Sequence, residues 1–244
     1  MIEITNVGYE GDEFKAKAEE LAERLNCLLN KNSPHCLFVT NEKLALKIPS
    51  FSLLSADFST HSWSKRKAEG KKQGLVRACK PVSGLHIIDA TAGWGRDAAI
   101  LASLGAEVLM IERNPIMAAL LSDALARRSP TEEQEMKLSL HQGDAFSFLN
   151  ALQPEDYPDV IYIDPMHPQR TKSALVKKDL QVLQELIGPD EDALELIKLA
   201  MMRVKQRVVV KWPQKIKSLL HTHTCVDGKT IRYDIYLKSV HFVP

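Results

Sequence analysis

Leu85-His86-Ile87-Ile88-Asp89-Ala90-Thr91-Ala92-Gly93-Trp94-Gly95-Arg96-Asp97 is the stretch that decides how this 244-residue chain folds. The apolar run 85–88 reads as a buried strand that stops at an acid, Asp89. Two glycines follow, and a helix is expected over 97–104. Glycines at 93 and 95 let the chain turn sharply and let backbone come close to a ligand. The first turn of the helix offers unpaired N–H groups and partial positive charge. Gly93, Gly95 and Ala98 match the G-x-G-x-x-A pattern of dinucleotide binders loosely, a weak signal by itself.

Outward from this stretch, strands and helices alternate. Strands are expected over 107–111, 137–141, 160–163 and 207–211, with helices over 116–128, 145–152, 173–186 and 190–202 between them. Alternation of this kind implies a mostly parallel sheet with helices on both faces. The last segments, 222–226 and 231–237, turn at Asp227-Gly228 and predict an antiparallel hairpin. Residues 1–60 read as a small α+β region. A helix over 14–29 carries Phe14, Ala18, Leu21, Leu25 and Leu28 at helical spacing, and 37–39 with 44–48 form a hairpin. A basic linker or helix, 61–80, leads into the main α/β domain, 81–244.

Composition excludes more than it selects. Lys+Arg number 32 and Asp+Glu 31, so bulk charge names no partner. No apolar run reaches the ~18 residues of a membrane span. The acidic start, Met1-Ile2-Glu3-Ile4, lacks the features of a signal peptide. Cys27, Cys36, Cys79 and Cys225 show no CxxC spacing and read as reduced thiols of a cytoplasmic protein. His221 and His223 read as solvated rather than as a metal pair, and no metal is expected.

Acids stand at one strand end after another. Glu112 closes the second strand nineteen residues after Gly93. A carboxylate about 20 residues on accepts the ribose hydroxyls of an adenosine, in NAD or S-adenosylmethionine alike. Gly143 and Asp144 follow the third strand, where an acid can accept an adenine amine or cap the next helix. After the fourth strand comes Asp164-Pro165-Met166-His167-Pro168. Proline has no N–H for a ladder, so the strand stops there and leaves the carboxylate at its C-terminal edge. The Asp164 carboxylate and Pro165 carbonyl form two adjacent acceptors, suited to holding an amino group. An amine on a base is a poor nucleophile, because its lone pair is delocalised into the ring. Hydrogen bonds to this acceptor pair localise the lone pair and aim it at a methyl donor.

These motifs resemble the family of ribosomal RNA small subunit methyltransferase J. The resemblance rests on D-A-T-A-G-W-G-R-D (89–97), L-A-S-L-G (101–105), I-E-R-N-P (111–115), D-P-M-H-P (164–168), K-S-A-L-V-K-K (172–178) and G-P-D (188–190), and it covers roughly residues 57–237. It implies a Rossmann-like class I fold, S-adenosylmethionine as cofactor, and methylation of the exocyclic N2 of a guanosine in 16S rRNA. It further implies cofactor contacts from Asp89, Gly93, Gly95, Arg96, Asp97, Glu112, Arg113, Gly143, Asp144 and Asp164. Asp164, Pro165 and His167 would form the catalytic group, with His167 where the family usually has phenylalanine; imidazole can still stack on a base.

A guanine in folded RNA reaches such a site only after leaving its stack. Lys65, Arg66 and Lys67, with Arg170, Lys172, Lys177 and Lys178, are candidate phosphate contacts; the bland reading is a solvated helix face. Expected partners are 16S rRNA or the small ribosomal subunit. Two other classes stay open on the residues: an amino-group methyltransferase acting on DNA, protein or a small molecule, and a non-catalytic RNA-binding assembly factor. A nicotinamide dehydrogenase is a more distant third.

Overall fold

The computed structural model describes residues 3–49, 51–166, 186 and 192–238. The expected helix over 173–186 falls almost wholly outside them, as do His167, Arg170, Lys172, Lys177 and Lys178. The chain divides into two units, and sequence order does not separate them cleanly. One comprises Met1–Phe58, Asn114–Arg128 and Met166–Pro189; the other comprises Ser59–Arg113, Ser129–Pro165 and Asp190–Pro244.

The first unit contains a four-stranded sheet of order β2-β1-β3-β4. Its strands are β1 (Asn6–Tyr9), β2 (Leu28–Leu29), β3 (Cys36–Val39) and β4 (Leu44–Lys47). The β3–β4 pair is the expected hairpin, with Phe38 opposite Ala45. Helix α1 (Lys15–Leu25) packs on β1 and buries Ala18 and Leu21 of the expected stripe together with Ala22, whereas Phe14 precedes the helix and Leu28, 70% exposed, lies beyond it. It stops at Asn26, whose left-handed backbone (φ 52°) closes the last turn, and the chain then continues as β2 rather than as helix. Two features were not anticipated: strand β1, and the association with this unit of the helix over Pro115–Ala126 (numbered α5 in chain order), itself expected over 116–128. Asn114 caps that helix by accepting from the Ile116 and Met117 N–H groups at 3.0 and 3.2 Å, with Pro115 in the first turn. Asp123 on it accepts from the Leu44 N–H at 3.1 Å, and Arg127 donates to the Ala56 carbonyl at 2.7 Å.

The second unit is built on a seven-stranded sheet of order β10-β11-β9-β8-β5-β6-β7. These strands are β5 (His86–Asp89), β6 (Glu107–Glu112), β7 (Leu138–Gln142), β8 (Val160–Ile163), β9 (Arg207–Pro213), β10 (Thr224–Asp227) and β11 (Ile231–Leu237). From β9 through β7 all neighbours are parallel; β11 pairs antiparallel with both β9 and β10. This is the Rossmann-like arrangement expected from the alternation, with the C-terminal hairpin at one edge. Ile88, Ile111, Ile161, Ile163, Val208 and Val210 form the sheet's share of a core that also takes in Leu149, Leu196, Ile197 and Ala200. Leu149 comes from helix α7 (Ala145–Ala151), which follows the short α6 (Pro130–Glu135) in the chain; the last three come from α8 (Ala193–Met202), which packs on α7. Buried on both faces, the central strands are continuous apolar runs such as Val160-Ile161-Tyr162-Ile163.

The basic run 61–80 is no loose connector. It folds as α2 (Thr60–Glu69), a 3-10 turn and α3 (Gly74–Cys79). Helix α2 packs on α4 (Arg96–Ser103), and α3 packs on β10 and β11 with Leu75, Val76, Ala78 and Cys79 buried. A Cβ on Gly74 would meet the Tyr233 ring at 2.7 Å, so only glycine permits this approach without a shift. Trp63 is buried, a packing residue.

Candidate active site

The strand order places the site. From β5 the chain steps outward through β6 and β7, then returns to β8 on the other flank of β5. The carboxyl ends of β5 and β8 therefore flank a topological switch point, where open α/β sheets bind ligands. Asp89 lies opposite Tyr162 in the β5–β8 register, and the chain leaves β8 directly into Asp164 and Pro165. The Asp164 N–H donates to the Thr91 hydroxyl at 2.7 Å, which ties the segment after β8 to the turn after β5.

That turn has the shape its glycines imply. Gly93 and Gly95 have φ of 53° and 70°, a region costly for other residues, and Gly95 caps α4. Glu112, at the end of β6 and 4% exposed, accepts from the Gly93 N–H at 2.9 Å. A carboxylate offers about four acceptor sites, so the Gly93 N–H by itself does not exhaust it. Next along the edge, Gly143 donates its N–H to the Glu112 carbonyl at 2.9 Å. Asp144 caps α7, accepting from the Ser147 N–H and hydroxyl, both at 2.7 Å. Partial burial pushes the Asp144 carboxyl up, but Ser147 and nearby Arg113 outweigh it and hold it below the usual range. Arg113 itself reaches Asp192 at 3.5 Å.

At the switch point three acids and one lysine converge. Lys211, on β9, donates to Asp164 Oδ2 at 2.6 Å and to Asp97 Oδ2 at 3.1 Å. The Tyr162 hydroxyl donates to the same Asp97 oxygen at 2.7 Å. Burial pushes the Tyr162 phenol well above its ordinary value, so it stays a donor. Behind them Asp89 is 1% exposed and accepts from the Thr91 N–H at 3.1 Å. Burial, reinforced by the Asp97 and Asp164 charges, pushes its carboxyl up to about 8. Asp89 thus braces the glycine turn from inside the sheet edge, while Asp97 and Asp164 stand nearer solvent.

Asp89, Gly93, Gly95, Arg96, Asp97, Glu112, Arg113, Gly143, Asp144, Asp164 and Pro165 all belong to the second unit and share the carboxyl edge or the turns leaving it. Lys65, Arg66 and Lys67 belong to the same unit, on α2. Sequence reasoning missed Lys211, Tyr162 and Thr91. For Lys211 a signal existed: it is the first charged residue after Val208-Val209-Val210, and the strand-end rule that found Asp164 would have found it too.

The donor set fits S-adenosylmethionine. It offers a glycine turn beneath a helix N-terminus, a buried acid able to accept vicinal hydroxyls, and carboxylates outnumbering the one lysine beside a position for a cationic ligand. Among the described residues no group of three or more potential metal ligands comes together, and no helix is long and apolar enough to cross a membrane.

Comparisons with known proteins agree with this geometry. A family model for SAM-dependent methyltransferases matches residues 20–238. A ribosomal RNA small subunit methyltransferase J from Legionella pneumophila (strain Corby) is 65% identical over 237 residues, covering 97% of this chain and 98% of that protein. The protein of the same name from Nitrosococcus oceani is 41% identical over 211 residues, covering 82% and 83%. Among solved structures, a SAM-dependent methyltransferase from Neisseria gonorrhoeae superposes with a TM-score of 0.72 at 26% identity, covering 97% of each chain. The cofactor is S-adenosylmethionine, and the chain belongs to the ribosomal RNA small subunit methyltransferase J family.

Proposed function

We propose that this enzyme methylates the exocyclic N2 of a guanosine in 16S rRNA, with the carboxyl edge of the seven-stranded sheet as its active site. The carrying observation is Asp164-Pro165 at the switch point, tied to the glycine turn through Thr91. Relatives up to 65% identical bear the name ribosomal RNA small subunit methyltransferase J, which supports the RNA substrate.

In this reading Glu112 accepts the ribose hydroxyls, Gly143 and Asp144 meet the adenine edge, and Arg96, Asp97 and Arg113 complete the cofactor's surroundings. The bound cofactor supplies a methyl group on a sulfonium. The Asp164 carboxylate and the Pro165 carbonyl accept hydrogen bonds from the guanine amine. They localise its lone pair, otherwise delocalised into the ring, and fix its direction, which is where most of the rate arises. As the C–N bond forms, the methyl–sulfur bond of the sulfonium would break and leave its electron pair on sulfur, and the nitrogen would shed a proton, for which Asp164 is the adjacent acceptor. His167 would stack on the extruded base, and Lys65, Arg66, Lys67, Arg170, Lys172, Lys177 and Lys178 would hold phosphates, so binding should weaken with salt.

The test is transfer of labelled methyl from S-adenosylmethionine to small subunits from cells lacking this protein, followed by nucleoside analysis. Label in N2-methylguanosine of 16S rRNA, lost in Asp164→Ala, is the expected result. Label in another nucleoside, in protein, or undiminished in Asp164→Ala would overturn it.

A further inference from the structure

Lys211 is absent from the motifs that define the site, yet it holds the shortest polar contact there. We propose that Lys211 is a positioning residue for methyl transfer, its ammonium joining Asp164, on the side of the target amine, to Asp97, on the side of the cofactor. This deepens the amine-methylation reading and rests on it.

The geometry is specific. Lys211 comes from β9, the neighbour of β8, and lies 2.6 Å from Asp164 Oδ2 and 3.1 Å from Asp97 Oδ2. Asp97 belongs to α4 and Asp164 to the segment after β8, so one cation ties three elements together. Tyr162 holds Asp97 from β8 at 2.7 Å, which fixes the far end of the bridge. In the β9–β11 register Tyr233 lies directly opposite Lys211, and Gly74 admits its ring. A carboxylate offers about four acceptor sites. An ammonium on Oδ2 therefore sets the plane of the Asp164 carboxylate while leaving it able to accept from an amine.

Charge makes the same argument. Among the described residues, Asp164, Asp97, Asp89 and the Tyr233 phenol interact with the ammonium, and the Tyr162 phenol and the Cys79 thiol on α3 interact with those partners. Burial draws the Lys211 ammonium down, but Asp164 and Asp97 together outweigh it and hold it above its ordinary value. Burial likewise raises both phenols and the thiol, so these groups stay neutral. Lys211 is then the counter-ion of the cluster and cannot act as a base. Without it, Asp97 and Asp164 become two like charges close together, and one of them holds its proton to higher pH. A protonated Asp164 loses acceptor capacity toward the amine.

The experiment compares wild type, Asp164→Ala, two neutral variants (Lys211→Met and Lys211→Gln) and Lys211→Arg. Methyl transfer to small subunits is followed from mildly acidic to mildly alkaline pH, with folding checked by thermal melts. In the neutral variants kcat should fall about 100-fold, and the acid limb of the pH profile should move to higher pH. Lys211→Arg should keep the wild-type limb, because it keeps the charge, while kcat is only partly restored, because the guanidinium sits differently. In the cofactor-free protein, carboxyl-carbon NMR of labelled aspartates should show the Asp164 resonance, assigned by its loss in Asp164→Ala, titrating at higher pH in a neutral variant. Two neutral variants keep the test available if one of them fails to fold. A folded neutral variant with the wild-type limb and an unmoved Asp164 titration would overturn the proposal, as would an equal loss at every pH. An active wild type and inactive Asp164→Ala uphold the methyl-transfer reading whatever Lys211 does.

Discussion

The two ends of the seven-stranded sheet carry comparable numbers of charged groups and use them differently. At the amino end, His86 and Lys137 lie 3.8 and 2.5 Å from Glu107, all at least partly exposed. Asp159 there accepts from the His86 N–H at 3.0 Å and from Gln206 at 3.1 Å. At the carboxyl end, Asp89 and Glu112 are 1% and 4% exposed, and Asp97 and Asp164 share one lysine. Solvated pairs contribute little, because water screens them and mobile side chains must be ordered. Charges withdrawn from water interact strongly and persist only where each is paired or neutralised. The carboxyl end is therefore costly to assemble, and it is the end at which we propose the chemistry takes place.

Substitutions at the two ends should diverge accordingly. Asp164→Ala should show the largest effect, a fall of about 100- to 1000-fold in kcat, read in the methyl-transfer assay. Glu112→Gln should come next. Its hydroxyl-accepting charge is lost while Gly93 keeps an acceptor, so the Kd for S-adenosylmethionine should rise by about 10- to 100-fold, measured by calorimetry; an unchanged Kd would remove Glu112 from the cofactor's surroundings.

Asp89→Asn tests the buried acid through stability. In the unfolded chain an aspartate titrates near 4, and in the fold Asp89 is pushed up to about 8. Between these values the folded state holds a proton that the unfolded state has lost. The contribution of Asp89 to stability is full at acid pH and is lost as pH rises toward about 8. Asn cannot titrate, so the Tm difference between Asp89→Asn and wild type should shift in the variant's favour across that window. A difference constant with pH would contradict the assignment. Smallest of all, Lys137→Ala at the amino end should leave kcat unchanged and move Tm by no more than about 2 °C. A larger shift would mean that the two ends are less different than their burial suggests.

Particular elements show what could be read in advance. The places of Asp164 and Glu112 at strand ends were legible because an apolar run ended in acid-proline in the one case and in a lone acid in the other. Helix α1 was legible from the helical spacing of Ala18, Leu21 and Leu25, although its end at Asn26 was not. Strand β1 escaped notice. Asn6-Val7-Gly8-Tyr9 is four residues long and owes its existence to partners at 28–29 and 37–39, not to any pattern of its own. Pro115–Ala126 was legible as a helix but not as a member of the first unit, because hydrogen bonds to Leu44 and Ala56 made that choice.

By itself the sequence determined the alternation of strand and helix, the glycine turn at 93–95 and the acids that close successive strands. Each depends on neighbours a few residues away: apolar runs, turn glycines and a proline without an N–H. Only the tertiary structure decided the strand order that sets β8 beside β5 and β9 beside β8, and with it the meeting of Lys211 with Asp164, 47 residues earlier, and with Asp97, 114 residues earlier. No local pattern specifies such a meeting, because the attraction between those charges becomes strong only after the packed sheet has taken them out of water.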